Sequence, residues 1–253
     1  MPTLTLNHQD LFYAFHQNSP ANHNVILIHG AGGNHLVWPT ALRRLPETNV
    51  YALDLPGHGR STGEGHAQIE SYAAIVIQFI KSLVLDNVVL IGHSMGGATA
   101  QMIALHDLPE ISALVLIGTG AKLRVSPAIL DQILPNYEQA VITMNQFTWA
   151  ASTPPDMVAH GQEMLAETNP RVMHNDLSAC DQFDIRSKLA QIECPTLVIA
   201  SSEDKLTPAK HGRFLADHIP QAQFVLLENA GHMMMLEKPR ETIEAVSNFL
   251  AAK

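Results

Sequence analysis

The chain has 253 residues, 46% of them apolar and 15% charged, which fits a folded α/β protein with a sizeable core and excludes a disordered chain. Only 15 Lys and Arg stand against 24 Asp and Glu, for a formal charge of -9, and this excludes nucleic acid as a partner, since phosphate binding needs clustered cations. Cys180 and Cys194 are too few for a disulfide framework or a zinc site and are expected as reduced thiols. The first residues lack the basic start and apolar segment of a signal peptide, and no apolar run approaches the ~20 residues that span a bilayer. A soluble, cytoplasmic protein without membrane insertion is expected, and the sequence names no oligomeric partner.

Thr3–Leu6 and Leu11–Phe15 alternate apolar and polar residues across a short polar gap and predict an antiparallel hairpin at a sheet edge. Asn24–Ile28 is a continuous apolar run, as a strand buried on both faces requires. It enters His29-Gly30-Ala31-Gly32-Gly33-Asn34-His35, where the glycines mean that the backbone itself is needed. Gly30-x-Gly32 begins a dinucleotide fingerprint, but His35 stands where the third glycine belongs and the motif fails. An oxyanion loop, with a backbone N–H facing the substrate, is the preferred reading. Trp38-Pro39 predicts the opening of a helix. Asn49–Asp54 is the next strand, and Asp54 is read as anchoring the loop Leu55–Ser61 through backbone hydrogen bonds rather than as catalytic. Residues 69–85 carry helical spacing at Ile69, Tyr72, Ile75, Val76, Phe79, Ile80 and Leu83.

The apolar strand Val88–Ile91 then ends abruptly in Gly92-His93-Ser94-Met95-Gly96-Gly97, followed by a helical run from Ala98. Gly92-x-Ser94-x-Gly96 between a strand and a helix is the nucleophile-elbow pattern, with small residues where the two elements close on each other. The helix behind Ser94 begins with unpaired N–H groups that favour a developing oxyanion. Ile111–Ile117 is another apolar strand, with no carboxylate at its tip.

From about Lys122 to Arg186 the alternation of strand and helix stops. Helical pieces are broken by Pro127, Pro135, Pro154-Pro155 and Pro170 and are rich in Leu123, Ile129, Leu130, Met144, Phe147, Trp149, Met157, Met164, Leu165 and Met173. This predicts a helical cap, residues 122–186, inserted into a core of residues 1–121 and 187–253. Most of those apolar residues are expected to form the cap's own core, and some to line the pocket beneath it. Cys194–Ala200 resumes the sheet and ends in Ser201-Ser202-Glu203-Asp204, with a helix from about Pro208. Ala222–Leu227 is the last strand, with Ala230-Gly231-His232-Met233 beyond it, and the last helix covers about Pro239–Leu250.

Ligands of open α/β sheets bind beyond the carboxyl ends of the strands. The Gly30–Gly33 loop, Ser94, Asp204 and His232 all lie at such ends, in the chain order Ser, Asp, His. A serine hydroxyl needs a base to become a nucleophile, His232 can serve near neutral pH, and a carboxylate would fix its tautomer. His93 precedes the apex of the turn and is placed wrongly to be that base. Glu203 competes with Asp204 for the acid, and Glu228 less so. Asp204 is preferred because it stands just ahead of Leu206-Thr207-Pro208 and the helix start.

These motifs together resemble the α/β-hydrolase fold family, in its branch of small capped esterase-like hydrolases. The resemblance runs through His29-Gly30-Ala31-Gly32-Gly33, Asp54–Ser61, Gly92–Gly97, Pro195–Ile199 with Asp204, and Gly231-His232. It implies a mostly parallel sheet flanked by helices, an oxyanion hole from the N–H groups of Ala31 and Met95, and Asp184-Ile185-Arg186 as the structural return from cap to core. The Met95 side chain is expected to touch the substrate, and Gly30, Gly32, Leu123, Phe147, Trp149, Leu206 and Met233 to line its pocket. Ser94 at the elbow excludes the relatives that use an aspartate nucleophile.

The expected activity is hydrolysis of carboxylic esters through an acyl-enzyme on Ser94, with no metal and no organic cofactor. The same triad could cleave a lactone, a thioester or a carbon–carbon bond of a diketone, or run perhydrolysis, because the cap sets the substrate. A non-catalytic binding protein on this fold is the reading from another class. Arg124, Arg171 and Arg186 are scattered, so small, neutral and fairly apolar substrates are expected.

Overall fold

Strands that are apolar at every position must be covered on both faces, and the computed structural model, which describes residues 2–6 and 8–252, covers them so. The strands are β1 (Thr3–Leu6), β2 (Gln9–His16), β3 (His23–Ile28), β4 (Thr48–Leu53), β5 (Val88–His93), β6 (Ile111–Ile117), β7 (Thr196–Ser201) and β8 (Ala222–Leu227). They form one sheet in the order β1-β2-β4-β3-β5-β6-β7-β8. The hairpin β1–β2 and the β2–β4 pair are antiparallel, and every other pairing is parallel. The helices are α1 (Ile69–Ser82), α2 (Met95–Ala104), α3 (Pro127–Ile133), α4 (Tyr137–Thr148), α5 (Pro155–Ala166), α6 (Pro170–Gln182), α7 (Ala209–His218), α8 (Met234–Glu237) and α9 (Pro239–Ala251).

Alternate residues of each central strand enter different cores. Ile26, Ile28, Leu90, Leu114 and Leu116 pack with Tyr72, Phe79 and Ile80 of α1 and with α2. Val25, Leu27, Val89, Ile91, Val115 and Ile117 pack on the other face with Trp38, Leu42 and the α9 residues Val246 and Phe249. The helix predicted to open at Trp38-Pro39 does not form, and only two 3-10 turns, His35–Val37 and Leu42–Arg44, occupy that segment. Trp38 and Leu42 are buried against the sheet, and Pro46 closes the segment before a longer helix can extend.

Between β6 and β7 the chain leaves the sheet for α3 to α6. Pro127, Pro155 and Pro170 each sit at the first turn of a helix, where the missing N–H costs little. The excursion is pinched at its base. Lys122 bridges Asp184 across an isolated antiparallel pairing, and the Ile185 N–H donates to Ala121 O at 2.8 Å. Arg186 and then Lys122 hydrogen-bond the Asp184 carboxylate and hold it well below the usual carboxylate range.

The junction that fixes the site is the turn from β5 into α2. A side chain at Gly92 would strike the Gly96 backbone, and one at Gly96 would strike the carbonyl oxygens of Ile28 and His29. Helix α2 therefore lies directly on the backbone of β3. Gly96→Ala is expected to destabilise the protein by about 1–3 kcal/mol, read as a lower urea midpoint, and an unchanged midpoint would contradict this close approach.

Candidate active site

Ser94 is held at φ 53° and ψ -116°, a conformation that a non-glycine residue adopts only where its surroundings over-determine it. They do so here. Its N–H donates to Ile117 O at 3.0 Å, and its carbonyl accepts from Gly97 N, Ala98 N and the Thr119 hydroxyl at 2.9, 3.1 and 2.8 Å. The backbone is thus bound on both sides, and the hydroxyl is left at the carboxyl end of β5, at the start of α2. Met95 follows as the first helical residue, so its amide has no preceding turn to bond. Its side chain is fully buried in the core beneath α1 and α2 and does not line the cavity, contrary to expectation. A residue one step past the apex points back under the helix it opens.

His232 Nδ1 lies 2.9 Å from Asp204 Oδ2. The carboxylate fixes the tautomer: Nδ1 donates, and Nε2 is left as the acceptor. The other Asp204 oxygen accepts from the N–H groups of Leu206 and Thr207 at 2.9 and 2.8 Å, and the Thr207 hydroxyl lies 2.7 Å from Oδ2. Burial by itself would raise this carboxyl. The His232 ring beside it, followed by hydrogen bonds from His232 and Thr207, outweighs burial and holds it well below the carboxylate range. Glu203 turns away, accepting from Ala151 N at 3.1 Å, so between the two acids only Asp204 meets the imidazole. The His232 loop is tied by its own N–H to Thr148 O at 2.7 Å, by Gly231 N to Glu237 Oε1 at 3.0 Å, and by the Ser201 hydroxyl to Gly231 O at 2.6 Å. Ser94 and His232 line one cavity, and among the described residues no hydrogen bond joins Ser94 Oγ to the ring. Such contacts commonly tighten only with substrate in place.

Thr207, Ser201, Glu237 and Thr148 were not anticipated. Thr207 sits inside the Asp204–Pro208 segment, where a hydroxyl ahead of a helix is a recognisable capping signal. Glu237 and Thr148 carry no local signal, because they act on a loop distant in sequence.

The buried histidines divide by their neighbours. Burial and the nearby His232 push His93 from the ordinary 6.5 to about 3, and its Nε2 donates to His232 O at 3.0 Å. This bond ties it to the His232 loop. Burial and the nearby His58 push His29 down to about 4. Asp54 accepts from His35 N, His35 Nδ1 and Arg60 N at 2.7, 2.8 and 2.9 Å, and so anchors its loop as expected. His58 Nε2 donates to Asp176 Oδ2 at 2.7 Å. Burial opposes its charge, but the Asp176 carboxylate and this hydrogen bond outweigh burial and raise its pKa.

The cavity over these residues has a volume of about 740 Å³ and lies between the sheet end and α3 to α6. Gly30, Gly32, Leu123, Phe147, Trp149, Leu206 and Met233 all line it, and so does Ala31. So do Ile129, Met144, Met157, Met164, Leu165 and Met173, which leaves Leu130 alone of the apolar residues singled out from the sequence of this insertion outside it. The inserted helices therefore hold little core of their own, a small cluster around Ile133, Ala140 and Met173. No carboxylate lines the cavity among the described residues. No cluster of three or more His, Cys, Asp or Glu there is arranged to hold a metal ion, and no helix is long and apolar enough to cross a membrane.

The sequence model described as "Alpha/beta hydrolase family" matches residues 25–245. The chain belongs to the alpha/beta hydrolase family. It is therefore an enzyme, esterase-like in its relatives and neighbours. A 3-oxoadipate enol-lactonase of Acinetobacter baylyi is 24% identical over 92% of this chain and 90% of its own. A pimeloyl-[acyl-carrier protein] methyl ester esterase of Vibrio cholerae is 26% identical over 85% and 89%. Among solved structures, a thermophilic esterase superposes with a TM-score of 0.87 at 33% identity, covering 99% of this chain and 97% of that one.

The histidine shifts of this hydrolase bracket a stability window. His29 and His93 stay neutral when folded but take up protons when unfolded, so stability is lost as pH falls from 6.5 towards 4. His58 has a folded value raised above 6.5, so its contribution is fully present below 6.5 and is lost as pH rises from there through the raised folded value. The Tm is expected to peak near neutrality in thermal scans across this range. A Tm that climbs on acidification from 6.5 to 4 would contradict the assignment.

Proposed function

We propose that this alpha/beta hydrolase cleaves carboxylic esters of small, fairly apolar acids through an acyl-enzyme on Ser94. The single observation that carries the proposal is the His232–Asp204 pair, facing the same cavity end as a serine held in strained backbone geometry. Ser94 Oγ attacks the ester carbonyl while His232 Nε2 takes its proton. Asp204 holds the ring and stabilises the imidazolium. The N–H groups of Ala31 and Met95 receive the oxyanion. His232 returns the proton to the departing alcohol, and a water activated by the same ring releases the acid. Residues 122–186 act as the cap and residues 1–121 and 187–253 as the core.

A cavity of about 740 Å³ suits a small-molecule acyl group. Its methionine-rich roof adapts to apolar chains. With no lining carboxylate among the described residues and with Lys122, Arg124 and Lys205 along it, it disfavours a cationic substrate. Two relatives named 3-oxoadipate enol-lactonase support a lactone as the second reading, since the steps are the same with the leaving alcohol tethered to the acid. Two free cysteines suit a cytoplasmic setting.

Ser94→Ala is expected to lower kcat on p-nitrophenyl acetate and butyrate by at least about 10³-fold with folding retained, and to abolish labelling by a fluorophosphonate probe. Unchanged turnover in the variant would overturn the mechanism. Failure of the wild-type enzyme to label would favour a binding protein. A panel of matched esters and lactones separates the two substrate readings by kcat/KM.

A further inference from the structure

Residues 29–33 form a turn whose peptides are each held, and not all by the core. Gly30 O accepts from Gly33 N at 3.0 Å and from His29 Nδ1 at 2.8 Å. His29 must donate there, because its Nε2 accepts the Leu55 N–H at 3.0 Å. Gly30 O and Ala31 N–H belong to one peptide plane and point opposite ways. Fixing the carbonyl therefore aims the amide, and no hydrogen bond takes up the Ala31 N–H among the described residues. Gly32 completes the turn at φ 66°, which favours glycine.

The next two peptides are held by the inserted helices. Gly32 N–H donates to Asp176 Oδ2 on α6 at 2.8 Å. Gly32 O accepts from the hydroxyl of Thr168, between α5 and α6, at 2.8 Å. The Met173 methyl on α6 fills the space a Gly32 side chain would need. Asp176 is fully buried. Besides Gly32 it accepts from His58 Nε2 at 2.7 Å and from the Tyr72 hydroxyl on α1. One carboxylate thus ties α6 to the glycine turn, to the loop after β4 and to α1.

We infer that Asp176 and Thr168 are positioning residues for the oxyanion hole: they clamp the two sides of Gly32, so the Ala31 amide is aimed correctly only with the inserted helices seated on the core. The inference rests on the reading of Ala31 as an oxyanion donor. Without the clamp, the peptides on either side of Gly32 can rotate about the glycine, whose backbone resists little, and the Gly33 N–H, which shares a peptide with Gly32 O, leaves the Gly30 carbonyl that aims the Ala31 amide. The adjoining amide then loses the orientation that matters when charge develops on the carbonyl oxygen. A group that acts on the transition state and not on the ground state changes kcat and leaves KM.

The test uses the full-length enzyme with p-nitrophenyl butyrate as substrate and a trifluoromethyl ketone as the probe of the tetrahedral state. Thr168→Val keeps the shape of the half-buried side chain and removes the bond to Gly32 O. It is expected to lower kcat about 10-fold with KM within about 2-fold, and to weaken ketone binding by the same factor as kcat/KM. Thr168→Ser restores the hydroxyl and is expected to recover wild-type kcat. Asp176→Asn keeps one acceptor for three donors and is expected to lower kcat with the same KM pattern. A fall in Tm alone, with kcat of the folded enzyme unchanged in Thr168→Val, overturns the clamp. So does a loss in kcat that Thr168→Ser does not repair. A wild-type enzyme that turns over ester but does not bind the ketone removes the oxyanion hole and the clamp with it. Wild-type ketone binding that survives Thr168→Val undiminished removes the clamp alone.

Discussion

Helix α2 approaches β3 so closely that Gly96 has no room for a methyl group against the Ile28 and His29 carbonyls. The chain can reverse from β5 into that helix only through a residue with positive φ, and Ser94 takes it. Four hydrogen bonds to the Ser94 backbone keep it there. The rest of the site depends on this placement. Because β6 lies next to β5, β7 next to β6 and β8 next to β7, the residues at their carboxyl ends converge on the serine without any long reach. Backbone strain is stored at the carboxyl end of a central strand, and the core packing on both faces of the sheet sustains it.

Charge is placed with similar economy. The alpha/beta hydrolase core buries several ionisable groups around its site, and each has a named partner. Asp204 meets His232 and two backbone amides, Asp54 meets His35 and Arg60 N, and Asp176 meets His58, Tyr72 and Gly32 N. His29 and His93 are instead kept neutral, each with a ring N–H given to a backbone carbonyl. An unpaired charge at any of these depths would cost several kcal/mol. The inserted helices contribute to this network as well as to the cavity, through Asp176 and Thr168 on one side and the Thr148 carbonyl on the other.

How much of this was legible follows from how local each signal is. Ser94 and its glycines were readable because a tight strand–helix turn demands those residue types at that spacing. His232 and Asp204 were readable as polar residues at strand ends, and Asp204, preferred over Glu203 for its place ahead of the helix start, is the one whose carboxylate lies on the ring. Asp176 was not readable, because its partner Gly32 is 144 positions away and nothing near it in sequence marks a buried carboxylate. The Met95 side chain and the Trp38-Pro39 segment were misread by treating local pattern as sufficient. The first is drawn into the core by the helix it begins, and the second is pinned by Trp38 and Leu42 against the sheet. The inserted methionines look like core from sequence alone, since a cavity wall and a core share one composition. Only their places along the cavity wall tell them apart.

The central claim is that Ser94 carries the acyl group during turnover. The most direct measurement is rapid acid quenching of the enzyme mixed with p-nitrophenyl butyrate, followed by intact-mass and peptide mass spectrometry. The account predicts a butyryl adduct on the peptide containing Ser94, formed in a burst together with nitrophenol and absent from His232→Ala. Turnover with no adduct, or an adduct on any other residue, would contradict it.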